Sequence, residues 1–179
     1  MKLSWLFVVC LAVAVVGSST LGAYGQTLPK PGPQHELIKQ GEGTWDAVIK
    51  DPAGPEMKGT ATGKMACGGL WMVSDFKMDM GGMEYQGHGL DGYDVDKKKY
   101  VSVWVDSMST APMFFEGDYD EASKTLTQTA KGKGTDGKPA TFKSVLKMKD
   151  KDHHTFQMFI VGADGKEALM MTIESSRKK

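Results

Sequence analysis

The stretch YDVDKKKYVSVWVDSMSTAPMFFEGDYDEASKTL, residues 93–126, decides the fold. It opens and closes on the same device: Tyr93-Asp94 followed by Lys98 and Tyr100, then Tyr119-Asp120 followed by Lys124 and Leu126, an offset of 26 residues. A Tyr-Asp pair starting a turn that a lysine ends reads as one hairpin geometry used twice, with two strands and their turns filling the interval. Consecutive hairpins predict an antiparallel up-and-down meander, which loses its exposed edges only by closing on itself. A binding role for these tyrosines is not needed to explain the repeat.

The same rhythm runs outward in both directions. Strands are expected near 44–50, 57–67, 70–79, 83–93, 99–107, 112–119, 124–131, 140–149, 154–162 and 167–175, each bounded by turn residues. Asp136-Gly137 and Asp164-Gly165 are expected at the centres of tight hairpin turns. Phe76, Met78 and Met80 alternate with Asp75, Lys77 and Asp79, and Leu169, Met171 and Ile173 share one face of the last strand. No stretch is long and amphipathic enough for a substantial helix. A short one fits residues 34–40, with Pro33 in its first turn and Gly41 and Gly43 as stops. The expectation is an all-β, antiparallel barrel of about ten strands with a short N-terminal helix.

The strand 99–107 has no polar face, since Val101, Val103 and Val105 alternate with Tyr100 and Trp104. Its outside needs a cover, and the short helix is preferred to a second subunit. If Trp104 points inward, Ser102 and Asp106 go with it, and a buried carboxylate needs a partner. The alternative, valines inside and Trp104 under the helix, is equally compatible with the sequence.

Residues 1–25 have the build of an export signal: Lys2, the apolar run from Leu6 to Val16, and small residues at Ala23-Tyr24-Gly25. The run is too short to span a bilayer, so cleavage near Gly25 and a mature start at Gln26 are expected, with a secreted or periplasmic location. Cys10, preceded by Val8 and Val9, does not suit lipid modification. Residues 26–43 form a leader and short helix, and residues 44–179 a single barrel domain with no membrane-spanning segment. Only Lys2 is charged in the signal, which leaves the mature chain one basic residue short of neutrality, so nothing draws it to nucleic acid. Cys67 alone remains after cleavage, no internal disulfide is available, and the residue reads as a small buried apolar one.

Gly43-Thr44-Trp45 resembles the Gly-x-Trp that opens lipocalin-type barrels, where the tryptophan plugs one end. The blocks Gly43-Thr44-Trp45-Asp46, Lys58-Gly59-Thr60-Ala61-Thr62, Gly87 to Asp94, Lys98 to Thr110, Glu116-Gly117, Tyr119-Asp120 and Lys124 to Thr127 resemble a secreted bacterial family described only as domain of unknown function 1579. The likeness covers essentially the mature chain and implies a lipocalin-like (calycin-type) barrel. It brings no activity, ligand or catalytic residue with it.

Chemistry-bearing motifs are sparse. Gly87, Gly89 and Gly92 spell a dinucleotide fingerprint, but Tyr93-Asp94 opens a hairpin where that motif needs a helix. These glycines instead mark curvature or room inside the wall. Met78, Met80 and Met83 form the dense methionine cluster that reduced copper would favour, although core packing or cavity lining explains them better. His153 and His154, adjacent on a strand, point to opposite faces. There is no nucleophile elbow, zinc-spaced cysteine pair or metalloprotease helix. Acid–base candidates are Asp106, Glu116 and His88, with Asp106 and Glu116 able to meet across a mouth if both point inward.

A barrel of ten strands is wider than one its own side chains fill, which favours a small apolar or amphipathic molecule in the lumen. Met72, Phe76, Met78, Tyr85, Trp104 and Phe115 are the expected lining, and no cofactor is implied. The alternatives are an enzyme acting in the cavity, or an interaction protein, such as a homodimer, that uses its outer face.

Overall fold

The computed structural model describes residues 28–134, 137–162 and 164–179. The segment expected to be an export signal, with Cys10, lies outside the described residues, as does Asp136. A seven-residue helix α1 (Pro33–Lys39) precedes β1 (Gly43–Lys50), β2 (Met57–Ala66), β3 (Trp71–Asp79), β4 (Glu84–Asp94), β5 (Lys99–Asp106), β6 (Met113–Asp120), β7 (Thr125–Lys133), β8 (Pro139–Met148), β9 (His153–Val161) and β10 (Glu167–Arg177). Each strand pairs antiparallel with its chain neighbour, and β1 pairs with β10 to close the barrel.

Alternation settles which face is inside. On β1, Trp45, Ala47 and Ile49 are buried while Asp46 and Lys50 are exposed. Carrying the register around places Tyr100, Ser102, Trp104 and Asp106 inside, opposite Tyr93, Asp91, Gly89 and Gly87. The valines of β5 therefore face outward. The expected cover is not there. Helix α1 packs instead against the ends of β3 and β4, and the Tyr100 hydroxyl donates to the Gln34 carbonyl (3.4 Å). A helix of seven residues has apolar surface for one contact, and His35 and Ile38 spend it on capping the barrel end. Val105 remains 43 % exposed.

The repeated hairpin is real. Asp94 accepts from the backbone N–H groups of Asp96 and Lys97, Asp120 from that of Ala122, and Lys98 and Lys124 both adopt left-handed backbone, at φ 54° and 53°. The tight turn with two left-handed centres is Gly81-Gly82, closed by Met80 N–H to the Met83 carbonyl. At Asp164-Gly165 only the glycine is left-handed, and the loop is longer, closed by Gly162 N–H to the Lys166 carbonyl.

Two further expectations change. A bulge between Leu169 and Met171 shifts the register of β10, so Leu169 pairs with Phe159 on the outside while Met171 and Ile173 stay inside. Cys67 is exposed, because it starts a single 3-10 turn at Cys67–Gly69 where strand alternation has ended.

Candidate functional site

The two ends of the barrel differ in how they are finished. At the α1 end Trp45 is 2 % exposed, and its indole N–H donates to the Gly41 carbonyl (3.0 Å). The Arg177 guanidinium lies over the indole at 4.1 Å and the His154 ring meets it edge-on at 4.5 Å. Arg177 also donates to the carbonyls of Gln40, Glu42 and Lys151 and pairs with Asp152. The tyrosines of the repeat complete this floor: Tyr93 packs on Tyr100 (5.1 Å) and Tyr100 on Tyr119 (6.3 Å), with His35 of α1 against Tyr93. Burial pushes the His154 imidazole down to about 4, with the Arg177 charge adding, so it is neutral at pH 7.

Above the floor a polar belt crosses β4, β5 and β7. Asp91 bonds Ser102, and Gln128 donates to the Tyr100 carbonyl (3.2 Å) and to Ser102 Oγ (3.1 Å). Gln128 reaches β5 over Gly117 of the intervening strand, where even a methyl group would lie 1.9 Å from the Thr127 carbonyl oxygen. Burial raises the Asp91 carboxyl above its ordinary range, yet part of its side chain still faces accessible space.

Packing in the upper half is lopsided. Phe115, Ala130, Phe142 and Met158 seal the side made by β6 to β9. On the opposite side Phe76, Met78, Tyr85 and Trp104 also face inward, but each keeps part of its surface open, while Met72, inward too, lies at the α1 end with its thioether against Gly41 and Gly63. All six expected lining residues thus point into the barrel. Gly87 and Gly89 create the room there: a Cβ on Gly87 would lie 2.2 Å from the Trp104 ring, and one on Gly89 2.3 Å from Ser74 Oγ. Trp104 Nε1 donates to Asp106 Oδ2 (3.0 Å), and Asp106 Oδ1 accepts from Met108 N–H (2.9 Å). The Tyr85 phenol interacts with both Trp104 and Asp106. It is pushed up to about 12, first by burial and then by the Asp106 charge.

The three acid–base candidates do not meet. Asp106 is inside, whereas His88 points outward, with Nδ1 2.6 Å from Asp75, and Glu116 points outward onto Lys97 (3.0 Å). Met78 faces the lumen, while Met80 and Met83 close the β3–β4 turn and Met83 is 49 % exposed. Among the described residues, no three or more His, Cys, Asp or Glu side chains group to hold a metal ion, and no helix is long and apolar enough to cross a membrane. An open groove of about 790 Å³ spans β1 to β4, lined by charged Asp46, Lys58, Lys77, Asp79 and Glu84 together with the inward row Ala47, Gly59 and Met78. Asp91 and Arg177 escaped sequence reasoning. The signal for Arg177 was available, as it is the single arginine of the sequence.

The fold and site together define a closed ten-stranded antiparallel barrel with a sealed floor and a partly open apolar wall. The family model for a protein of unknown function, DUF1579, matches residues 30–177, and the chain belongs to that family. No curated protein sequence matches it. Solved structures share the architecture at low identity. Rv2717c from M. tuberculosis has a TM-score of 0.58 and 11 % identity, covering 83 % of this chain and 99 % of that one. An S-type phycobiliprotein lyase, CPES from Guillardia theta, gives 0.54 and 11 %, covering 82 % and 93 %. A designed fluorescence-activating β-barrel gives 0.44 and 17 %, covering 78 % and 95 %. At these identities the likeness is one of fold.

Proposed function

We propose that this chain is exported and holds a small apolar or amphipathic molecule in its lumen. The observation that carries the reading is the open surface left on Phe76, Met78, Tyr85 and Trp104, all of which point inward. Apolar side chains facing unfilled space inside a barrel lose contact energy that a guest restores. The flexible Met78 thioether lets the wall adapt to the guest's shape. Native mass spectrometry of the protein isolated from its own host tests this. The expected result is an extra mass lost on denaturation; a clean apo mass, together with no uptake of an apolar fluorophore, defeats the reading. Export is tested separately by the N-terminus of the purified protein, expected at Gln26.

A second reading concerns the outer face. Val73, Leu90, Val103 and Phe114 are successive register partners across β3 to β6, with Val105 alongside and Phe114 65 % exposed. Apolar rows of this kind mark association surfaces. Several charges bordering the row are engaged within the chain, Asp75 with His88, Lys97 with Glu116 and Lys99 with Asp118, which eases the approach of a second copy of this chain. Sedimentation velocity is expected to show a dimer that Phe114→Glu abolishes; a monomer at tens of micromolar ends this reading.

A further inference from the structure

We propose that the mouth of the lumen selects amphipathic cations, with the Asp106 carboxylate and the rings of Phe76, Tyr85 and Trp104 receiving the head group and the lumen receiving the tail. This deepens the binding reading above and rests on it. The first observation is placement. Asp106 and Phe76 are the register partners of Gly87 on either side, Tyr85 is the partner of Met78, and the Trp104 ring lies over Gly87 itself. Phe76 and Tyr85 are packed edge to face at 6.1 Å. Because Gly87 has no side chain, three aromatic rings and one carboxylate gather around a single bare position in the wall. Aromatic faces attract cations through their quadrupole, and a carboxylate held by two hydrogen bonds adds a fixed negative charge.

The second observation is what the lumen does not offer. Every strand lysine among the described residues sits on an outward position, including Lys50, Lys58, Lys77, Lys99, Lys131 and Lys143. Arg177 is at the floor, where the Trp45 ring and three backbone carbonyls hold it. His154 is also at the floor, and neutral. Asp106 and Asp91 are therefore the acids that face the interior, with no lysine beside them. A fatty carboxylate entering this lumen meets like charge and no cation to neutralise it, whereas an alkylammonium meets a carboxylate and aromatic faces.

The test compares three probes with one tail, dodecyltrimethylammonium, dodecanoate and dodecanol, each below its micelle threshold. Binding to the mature chain is read by calorimetry and by tryptophan fluorescence, with Trp104→Phe used to isolate the contribution of Trp104 from those of Trp45 and Trp71. The ammonium is expected to bind at least about tenfold more tightly than the carboxylate, the factor one carboxylate–cation contact with ring support supplies. Asp106→Asn removes the charge and keeps one of the two acceptor oxygens that Trp104 and Met108 use, and it is expected to bring the ammonium close to dodecanol while thermal melting shows that the variant stays folded. Glu84→Gln, at the same end on the outer wall, is expected to leave the preference unchanged. Dodecanoate binding as well as the ammonium overturns the selectivity while leaving a lumen that binds. An equal loss in Glu84→Gln shows a general surface field and also overturns it. Failure of all three probes removes the selectivity and counts against the binding reading itself.

Discussion

The Arg177 guanidinium lies over Trp45, its Cζ 4.1 Å from the ring centroid, while its N–H groups hold the carbonyls of Gln40, Glu42 and Lys151. One side chain thus ties the turn after α1, the β8–β9 loop and the end of β10 onto the plug of the barrel floor. Arg177→Ala is expected to cost about 2 kcal/mol, from the lost cation–π contact and the carbonyls left without donors. Arg177→Lys should recover less than half, because an ammonium cannot stack and fork at once. Urea unfolding decides it: an alanine variant within about 0.5 kcal/mol of the parent would show the clamp to be ornamental.

His154 makes stability depend on pH in a defined window. Its folded-state value of about 4 lies below the ordinary 6.5, so the unfolded chain takes up a proton first as pH falls. Its contribution is intact above pH 6.5 and declines towards pH 4, by about 3 kcal/mol in all. His154→Gln should flatten the slope between pH 6.5 and pH 4 and leave the steeper carboxylate-driven loss below pH 4. An unchanged slope in that variant refutes the assignment.

Asp91 has the opposite sign. A carboxyl raised by burial destabilises the native state once pH is high enough to ionise it, so Asp91→Asn should stabilise the protein at pH 8 more than at pH 5. Thermal melts at the two pH values make the comparison. A variant less stable than the parent at pH 8 would mean that Ser102 and its neighbours fully compensate the charge.

Gly117 and Gly87 separate architecture from capacity. Gly117→Ala pushes a methyl group into the Thr127 carbonyl, which is backbone and cannot yield, and should cost about 3 kcal/mol or prevent folding. Gly87→Ala meets the Trp104 ring, which can swing away. It should fold with a smaller loss, shift Trp104 fluorescence, and weaken uptake of an apolar fluorophore. If Gly87→Ala binds as the parent does, the space beside Trp104 is not where the guest sits.

Much of the wall was legible from residues alone, because period-two alternation and turn chemistry act locally. The Tyr-Asp to Lys repeat gave two hairpins, and Pro33 with Gly41 bracketed the helix to within a residue. What escaped depended on long-range contacts. The facing of β5 stayed open because both of its sides are apolar, and the register imposed by Gly87 and Gly89 resolved it. Leu169 moved outside through a bulge that leaves no mark in an apolar run. Trp45 was expected as the plug of one end, but its partners His154 and Arg177 were not, since only closure of β1 on β10 brings the three together. Asp106 was identified as the inward acid only on condition that Trp104 went with it, and Glu116 fell outside because β6 alternates in step with its neighbour.

The welded floor has a consequence for traffic. With Trp45, Arg177 and the edge-to-face tyrosines stopping one end, the vessel is a cul-de-sac: under the binding reading proposed above, cargo must depart by the doorway through which it came. Loading and unloading therefore compete for one threshold, and any recipient has to present itself at the rim bearing Tyr85 and Asp106, never at the helix.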